Sequence, residues 1–150
     1  MSEPVERNGA ESYRTLDEIE ALVRGFEDCT LPHSAWTHRA HLVVALWYLV
    51  RGSEAEAVSR MRDGLHRLNQ AHGVPMTKER GYHETITLFW LRLIGRDVAH
   101  AASIDLTKLA NIIAYRYANS RLLFEYYSRD LLMSWDARKH WVAPDLKPLE

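Results

Sequence analysis

Apolar and polar positions along the chain fall into blocks of different character, and two of the blocks have no polar face. Leu42 to Val50 reads Leu-Val-Val-Ala-Leu-Trp-Tyr-Leu-Val without interruption. At 3.6 residues per turn such a run covers every side of a helix, so the element must be surrounded by others. A central helix is expected over 37–52, capped by Ser34 or Thr37 after the break at Leu31-Pro32 and ended by Gly52. Ile86 to Ile94, interrupted only by Thr87 and Arg92, predicts a second buried helix over 82–94, with Gly95 either ending or loosening it.

Elsewhere the apolar residues mark one side only. Leu16, Ile19, Leu22, Val23 and Phe26 follow the capping-box sequence Thr15-Leu16-Asp17-Glu18 and predict an amphipathic first helix. Val58, Met61, Leu65 and Leu68 follow a second such sequence, Ser53 to Glu56, and Gly73 and Pro75 close that helix. Asp105 caps a fifth helix with Leu106, Leu109, Ile112 and Ile113. Asn119 or Ser120 caps a sixth with Leu123, Tyr126 and Tyr127, and a seventh covers Asp130 to Arg138. Trp141 to Pro148 holds two prolines and no helical period, which reads as an extended arm laid over the body. No Asn-Gly or Asp-Gly hairpin signal appears. The pattern predicts an all-α, single-domain helical bundle of five to seven helices with an extended C-terminal arm.

Composition narrows the class without changing that picture. At 150 residues and 47% hydrophobic content the chain suits one domain with a full core. Residues 1–12 read as a mobile leader and 13–150 as the domain. Nineteen Lys and Arg against twenty Asp and Glu leave a net charge of −1 with no basic block, which argues against a nucleic-acid partner. The longest apolar run is about half of what a membrane span requires, and the first residues carry no apolar signal core, so no membrane is expected and the cytoplasm is the expected location. The single cysteine, Cys29, reads as a small apolar residue.

Candidate chemistry gathers at the starts of the two apolar helices. His38 and His41, three apart, share the first turn of one; His83 and Glu84 open the other. Helices separated by one hairpin partner run parallel, so these two starts are expected at the same end of the bundle. Neutral imidazoles in apolar surroundings favour a divalent transition metal such as zinc, nickel or iron, and a positive helix end keeps them neutral. His38, His41 and His83 are the expected ligands, with Glu84 a fourth ligand or a general base acting on bound water. His83-Glu84-Thr85-Ile86-Thr87 starts like a zinc-protease helix but has Thr87 where H-E-x-x-H needs its second histidine, and paired Glu-x-x-His segments are absent, which leaves a mononuclear site.

Tyr82 is a candidate acid or oxyanion donor beside that site, or an interfacial tyrosine packed on Trp36. Arg121 would bind an anionic group of a small polar substrate, or pair with Glu84 or Glu125. His33 is a substitute ligand or a solvated loop residue. His66, His72, His100 and His140 read as surface residues.

The blocks Leu31-Pro32 through Trp36-Thr37-His38-Arg39-Ala40-His41-Leu42, Gly81-Tyr82-His83-Glu84-Thr85, and Tyr126-Tyr127-Ser128-Arg129 with Ala137-Arg138 and Trp141-Val142-Ala143-Pro144-Asp145-Leu146 resemble those of a family of small bacterial all-helical proteins. The likeness spans roughly residues 26 to 148. It implies one globular unit and supplies no reaction. Two functions follow from the residues: a metal-dependent hydrolase or isomerase acting on a small molecule, or a non-enzymatic helical module whose His, Glu and Arg side chains form a buried network while its tail or aromatic surface binds a protein partner. Either is compatible with a homo-oligomer.

Overall fold

A computed structural model describes residues 12–101 and 103–149. The leader expected over 1–12 lies, apart from Ser12, outside the described residues. Among those described there is no strand, and eight α-helical segments form one all-α domain: α1 Leu16–Glu27, α2 His38–Arg51, α3 Glu54–His72, α4 Glu84–His100, α5 Leu106–Arg116, α6 Leu123–Tyr126, α7 Arg129–Leu132 and α8 Trp135–Lys139.

The caps are those the sequence signals. Thr15 accepts from the Glu18 N–H, Thr37 from Ala40 and Asp105 from Lys108. Ser53 and Glu56 form a reciprocal capping box at the start of α3. Each cap satisfies an N–H that has no partner inside its own helix. At the other end of α3, Gly73 takes φ 72°, and the N–H groups of Gly73 and Val74 close the last turn onto the carbonyls of Gln70 and Asn69.

The all-round apolar run sets the topology. Leu42, Val43, Val44, Ala45 and Leu46 are at most 1% exposed, because α2 is walled by α1, α3, α4 and α5. Its largest partner is α4, whose Phe89, Trp90, Leu91, Leu93 and Ile94 are equally buried. That helix runs through Gly95 to His100. One glycine costs a helix only about 1 kcal/mol against alanine, less than the packing of the flanking turns returns.

Past α5 the chain is more broken than its periodicity suggests. The expected sixth helix is a 3₁₀ turn, Ser120–Leu122, running into the four-residue α6, and the expected seventh divides into α7 and α8. Ser134 makes the break inside the seventh by accepting from the Ala137 N–H and opening α8, while Ser128, in the gap expected between the sixth and the seventh, accepts from the Leu131 N–H and opens α7. The extended arm follows as expected and is tied to the body. Thr85 Oγ1 donates to the His140 carbonyl at 2.8 Å and accepts from the Val142 N–H, while Tyr127 donates to the Val142 carbonyl at 2.7 Å.

Gly64 shows how close the helices lie. A Cβ there would run into the ring of Phe26, a fully buried side chain on α1. Alanine has the better helix propensity by about 1 kcal/mol, yet overpacking a core typically costs about 1–3 kcal/mol. Gly64→Ala is therefore expected to destabilise the protein; a raised midpoint in urea unfolding would contradict this packing.

Candidate functional site

The start of α4 is a polar knot inside an apolar shell. His83 is the N-cap itself rather than a first-turn residue, and it is 6% exposed. Its Nδ1 accepts from the Ile86 N–H at 3.2 Å, and its Nε2 lies 2.7 Å from the Leu132 carbonyl. An amide donor on one nitrogen and a carbonyl on the other fix the neutral tautomer with the proton on Nε2. Burial is the main cause that lowers its pKa below the ordinary histidine value, with the Arg138 charge adding to it.

Glu84 is held from two sides. Arg62 of α3 meets it with two N–H groups, Nε on Oε1 at 3.1 Å and Nη2 on Oε2, and the Tyr82 hydroxyl donates to Oε1 at 2.6 Å. Burial raises the pKa of this carboxyl, but the hydrogen bonds from Arg62 and Tyr82 outweigh it and hold the value below the ordinary one. A base so stabilised as an anion is a weak proton acceptor. The Tyr82 hydroxyl is pushed the opposite way, first by burial and then by its bond to Glu84. Tyr82 packs on the ring of His66 at 4.3 Å between centroids, not on Trp36, which stacks instead on Phe26 at 4.9 Å.

At the start of α2 the two histidines are differently placed. His38 Nε2 lies 2.8 Å from the Tyr117 carbonyl at the end of α5, and its ring meets Trp90 of α4 edge-on at 4.9 Å. Trp90 is seven residues along α4 from His83, or about 10 Å at 1.5 Å per residue. His41 lies against Trp36, with ring centroids 5.5 Å apart, and its Nε2 is covered and without a hydrogen-bond partner among the described residues. Burial, aided by the neighbouring His38, pushes its pKa down to about 4.

Thus Tyr82 and Glu84 come together, and His38 and His41 are neighbours, but the expected three-histidine centre is not assembled. Among the described residues no group of three or more His, Cys, Asp or Glu side chains is placed to hold a metal ion. The donors explain why: a nitrogen of His38 and both nitrogens of His83 already face backbone groups, and Glu84 faces a guanidinium. Arg121 is exposed on the 3₁₀ turn, with its guanidinium 5.3 Å from the Phe124 ring; Glu84 pairs with Arg62, and Glu125 with Lys147 at 3.6 Å. His33 and His72 meet edge to face at 5.1 Å, and His72 Nε2 lies 2.8 Å from the Leu31 carbonyl.

Two participants had no chemical role legible in the sequence. Arg62 sits on the polar side of α3 among other arginines, and nothing in the order of residues singles it out. Arg138, 3% exposed, sends Nη1 to the carbonyls of Gly81 and Tyr82 and Nη2 to that of Lys78, all at 3.1 Å. Burial lowers its pKa, with Glu79 opposing. It clamps the loop that leads into His83.

The chain matches no family model, no curated protein and no solved structure. The likeness to the family with the Trp-Thr-His and Gly-Tyr-His blocks rests on those blocks alone. Among the described residues no helix is long and apolar enough to cross a membrane.

His41 carries a pH dependence of definite sign. Its native pKa of about 4 lies below the ordinary 6.5, so the unfolded chain takes up a proton first as the pH falls. Its contribution is constant above pH 6.5 and is lost between 6.5 and 4, amounting to about 3 kcal/mol from this group. Urea unfolding at pH 7.5 and pH 4 is expected to show that much larger a drop for the native protein than for His41→Phe. Equal drops would contradict a covered, unpartnered Nε2.

Proposed function

We propose that this chain works by binding rather than by catalysis, as a helical module whose buried His, Glu and Arg groups serve the fold and whose aromatic surface meets a protein partner. One observation carries the reading: Tyr82, Glu84, both nitrogens of His83 and one of His38 are spent on internal bonds. The Glu84 carboxylate is occupied by the Arg62 guanidinium and the Tyr82 hydroxyl, and His83 is used at both nitrogens. An enzyme leaves its base and its open ligand position free for substrate.

The partner surface is the outer side of α5. Tyr115 stands 88% exposed there, well above any other large hydrophobic residue described. Ile112, Lys108 and Arg116 line a shallow depression of about 520 Å³ with it. Tyrosine offers a large rigid contact area at low entropic cost, which is why it recurs at the centres of protein interfaces. The C-terminal arm, by contrast, is occupied by its bonds to Thr85, Tyr126 and Tyr127.

Metal analysis of untagged protein purified without added metal is expected to find no stoichiometric zinc, nickel or iron. A photo-crosslinking amino acid at position 115, introduced in the source cells, is expected to trap a discrete protein that the same group at exposed Glu20 does not trap. One metal ion per chain that disappears in a His38→Ala, His41→Ala variant would overturn the reading in favour of a metal enzyme.

A further inference from the structure

The clefts of this molecule differ in one respect. Beside α4, Arg92 is stacked on Trp141 at 4.1 Å and His100 Nδ1 is on the Arg96 carbonyl; beside Tyr48, Glu27 accepts from the tyrosine hydroxyl and Arg51 covers Trp47. In the cleft beside His38, Asn111 bonds both backbone groups of Tyr13. The polar side chains named there are committed. The cleft of about 490 Å³ between the last turns of α3 and the loop 73–82 is not like this.

His66, Asn69 and Gln70 stand at i, i+3 and i+4 of α3 and so share one face. Neither carboxamide makes a side-chain hydrogen bond to another described residue, and both line this cleft. Opposite them the wall is apolar, formed by Val74, Pro75 and Met76. The exposed imidazole of His66, backed by the ring of Tyr82, provides a flat side.

The loop is built to hold its shape. Gly81 has φ 94°, and a Cβ on it would come within 2.6 Å of Met76 Cα and the Pro75 carbonyl, so the two strands of the loop touch where only glycine fits. Thr77 caps the turn by accepting from the N–H groups of Glu79 and Arg80. The buried guanidinium of Arg138 then fixes three carbonyls from Lys78 to Tyr82. Burying a cation on backbone carbonyls, with Glu79 opposing only part of the cost, is an expensive way to hold a loop, and it fixes this wall of the cleft against the side chains that α3 presents.

We infer that this cleft binds an uncharged, planar nitrogen heterocycle of the purine or pyrimidine type, as the free base or the nucleoside. No Lys, Arg, Asp or Glu lines it, and it opens at the carbonyl end of α3, which disfavours an anion. Each carboxamide presents a donor beside an acceptor, the pattern that pairs with the edge of a nucleobase. The ring face lies on His66, and the less polar side of the ligand faces Pro75 and Met76. The volume is within the range of ordinary small-molecule sites and admits a nucleoside.

Adenosine and uridine are the probes. Titrated into ¹⁵N-labelled protein, at least one is expected to shift the side-chain amide signals of Asn69 and Gln70 and the ring signals of His66 along a saturable curve, with α5 unaffected. An Asn69→Leu, Gln70→Leu variant with an unchanged melting temperature is expected to bind about tenfold or more weakly, the loss of one to two bidentate contacts. Gln70→Ala, an exposed change that leaves the fold intact, is expected to weaken binding in the same direction and serves if the double variant is unstable. No saturable shift with either nucleoside up to its solubility limit would overturn the assignment. So would shifts that persist undiminished in both variants.

Discussion

The His83 imidazole is the interaction on which the rest of the structure depends. One nitrogen begins the second apolar helix by taking the Ile86 N–H, and the other reaches the carbonyl of Leu132, 49 residues further on. Through that one ring the core helix α4 is joined to the short C-terminal helices that cover it. Thr85, two residues later, repeats the device with His140 and Val142, and Arg138 repeats it with the loop that precedes His83. The C-terminal third of the chain has only four- and five-residue helices after α5. Segments so short bury little apolar surface of their own and are marginal alone, so buried side-chain bonds to backbone hold them in place.

The same economy governs the other polar groups near the core. Polar atoms brought out of water need partners, and most find a backbone carbonyl: His38 finds Tyr117, His72 finds Leu31, Arg138 finds three. Asp97 instead takes a charge from Arg116, and Glu84 takes one from Arg62, whose side chain remains 40% exposed. Because that pair is partly solvated, it contributes position more than stability. His41 Nε2 and Arg138 Nε are covered and unpartnered among the described residues, so the polar interior is not fully satisfied. Arg138 Nε lies in the anchor of the loop that leads into His83, and His41 Nε2 lies beside Trp36.

The helical architecture was legible because its signals are local. The uninterrupted apolar run from Leu42 to Val50 reads as a surrounded helix and is fully enclosed from Leu42 to Leu46, although Val50 at its end stands 40% exposed, and Ser53 with Glu56, or Asp105 ahead of Leu106, mark starts that depend on neighbours within one turn. The gap at Ser128 was legible, but the break at Ser134 was missed because the helical pattern continues across it, while the serine hydroxyl competes for the backbone. The histidines were found as an unusual cluster, and their number and proximity to helix starts suggested a metal. What they bond to was not legible. The carbonyls of Tyr117 and Leu132 belong to every residue type alike and leave no trace in sequence. Arg62 lies twenty-two residues from Glu84, and only the hairpin of α3 on α4 brings the two together.

The central claim is that these histidines are neutral structural groups bonded to backbone. The tautomeric state of their rings, read by long-range ¹H–¹⁵N correlation at neutral pH in the native protein, tests it most directly. His83 and His38 are each expected to be neutral with the proton on Nε2, since that nitrogen faces a carbonyl in both. A ring protonated at Nδ1, an imidazolium, or nitrogen shifts that change on adding a chelator would contradict the account.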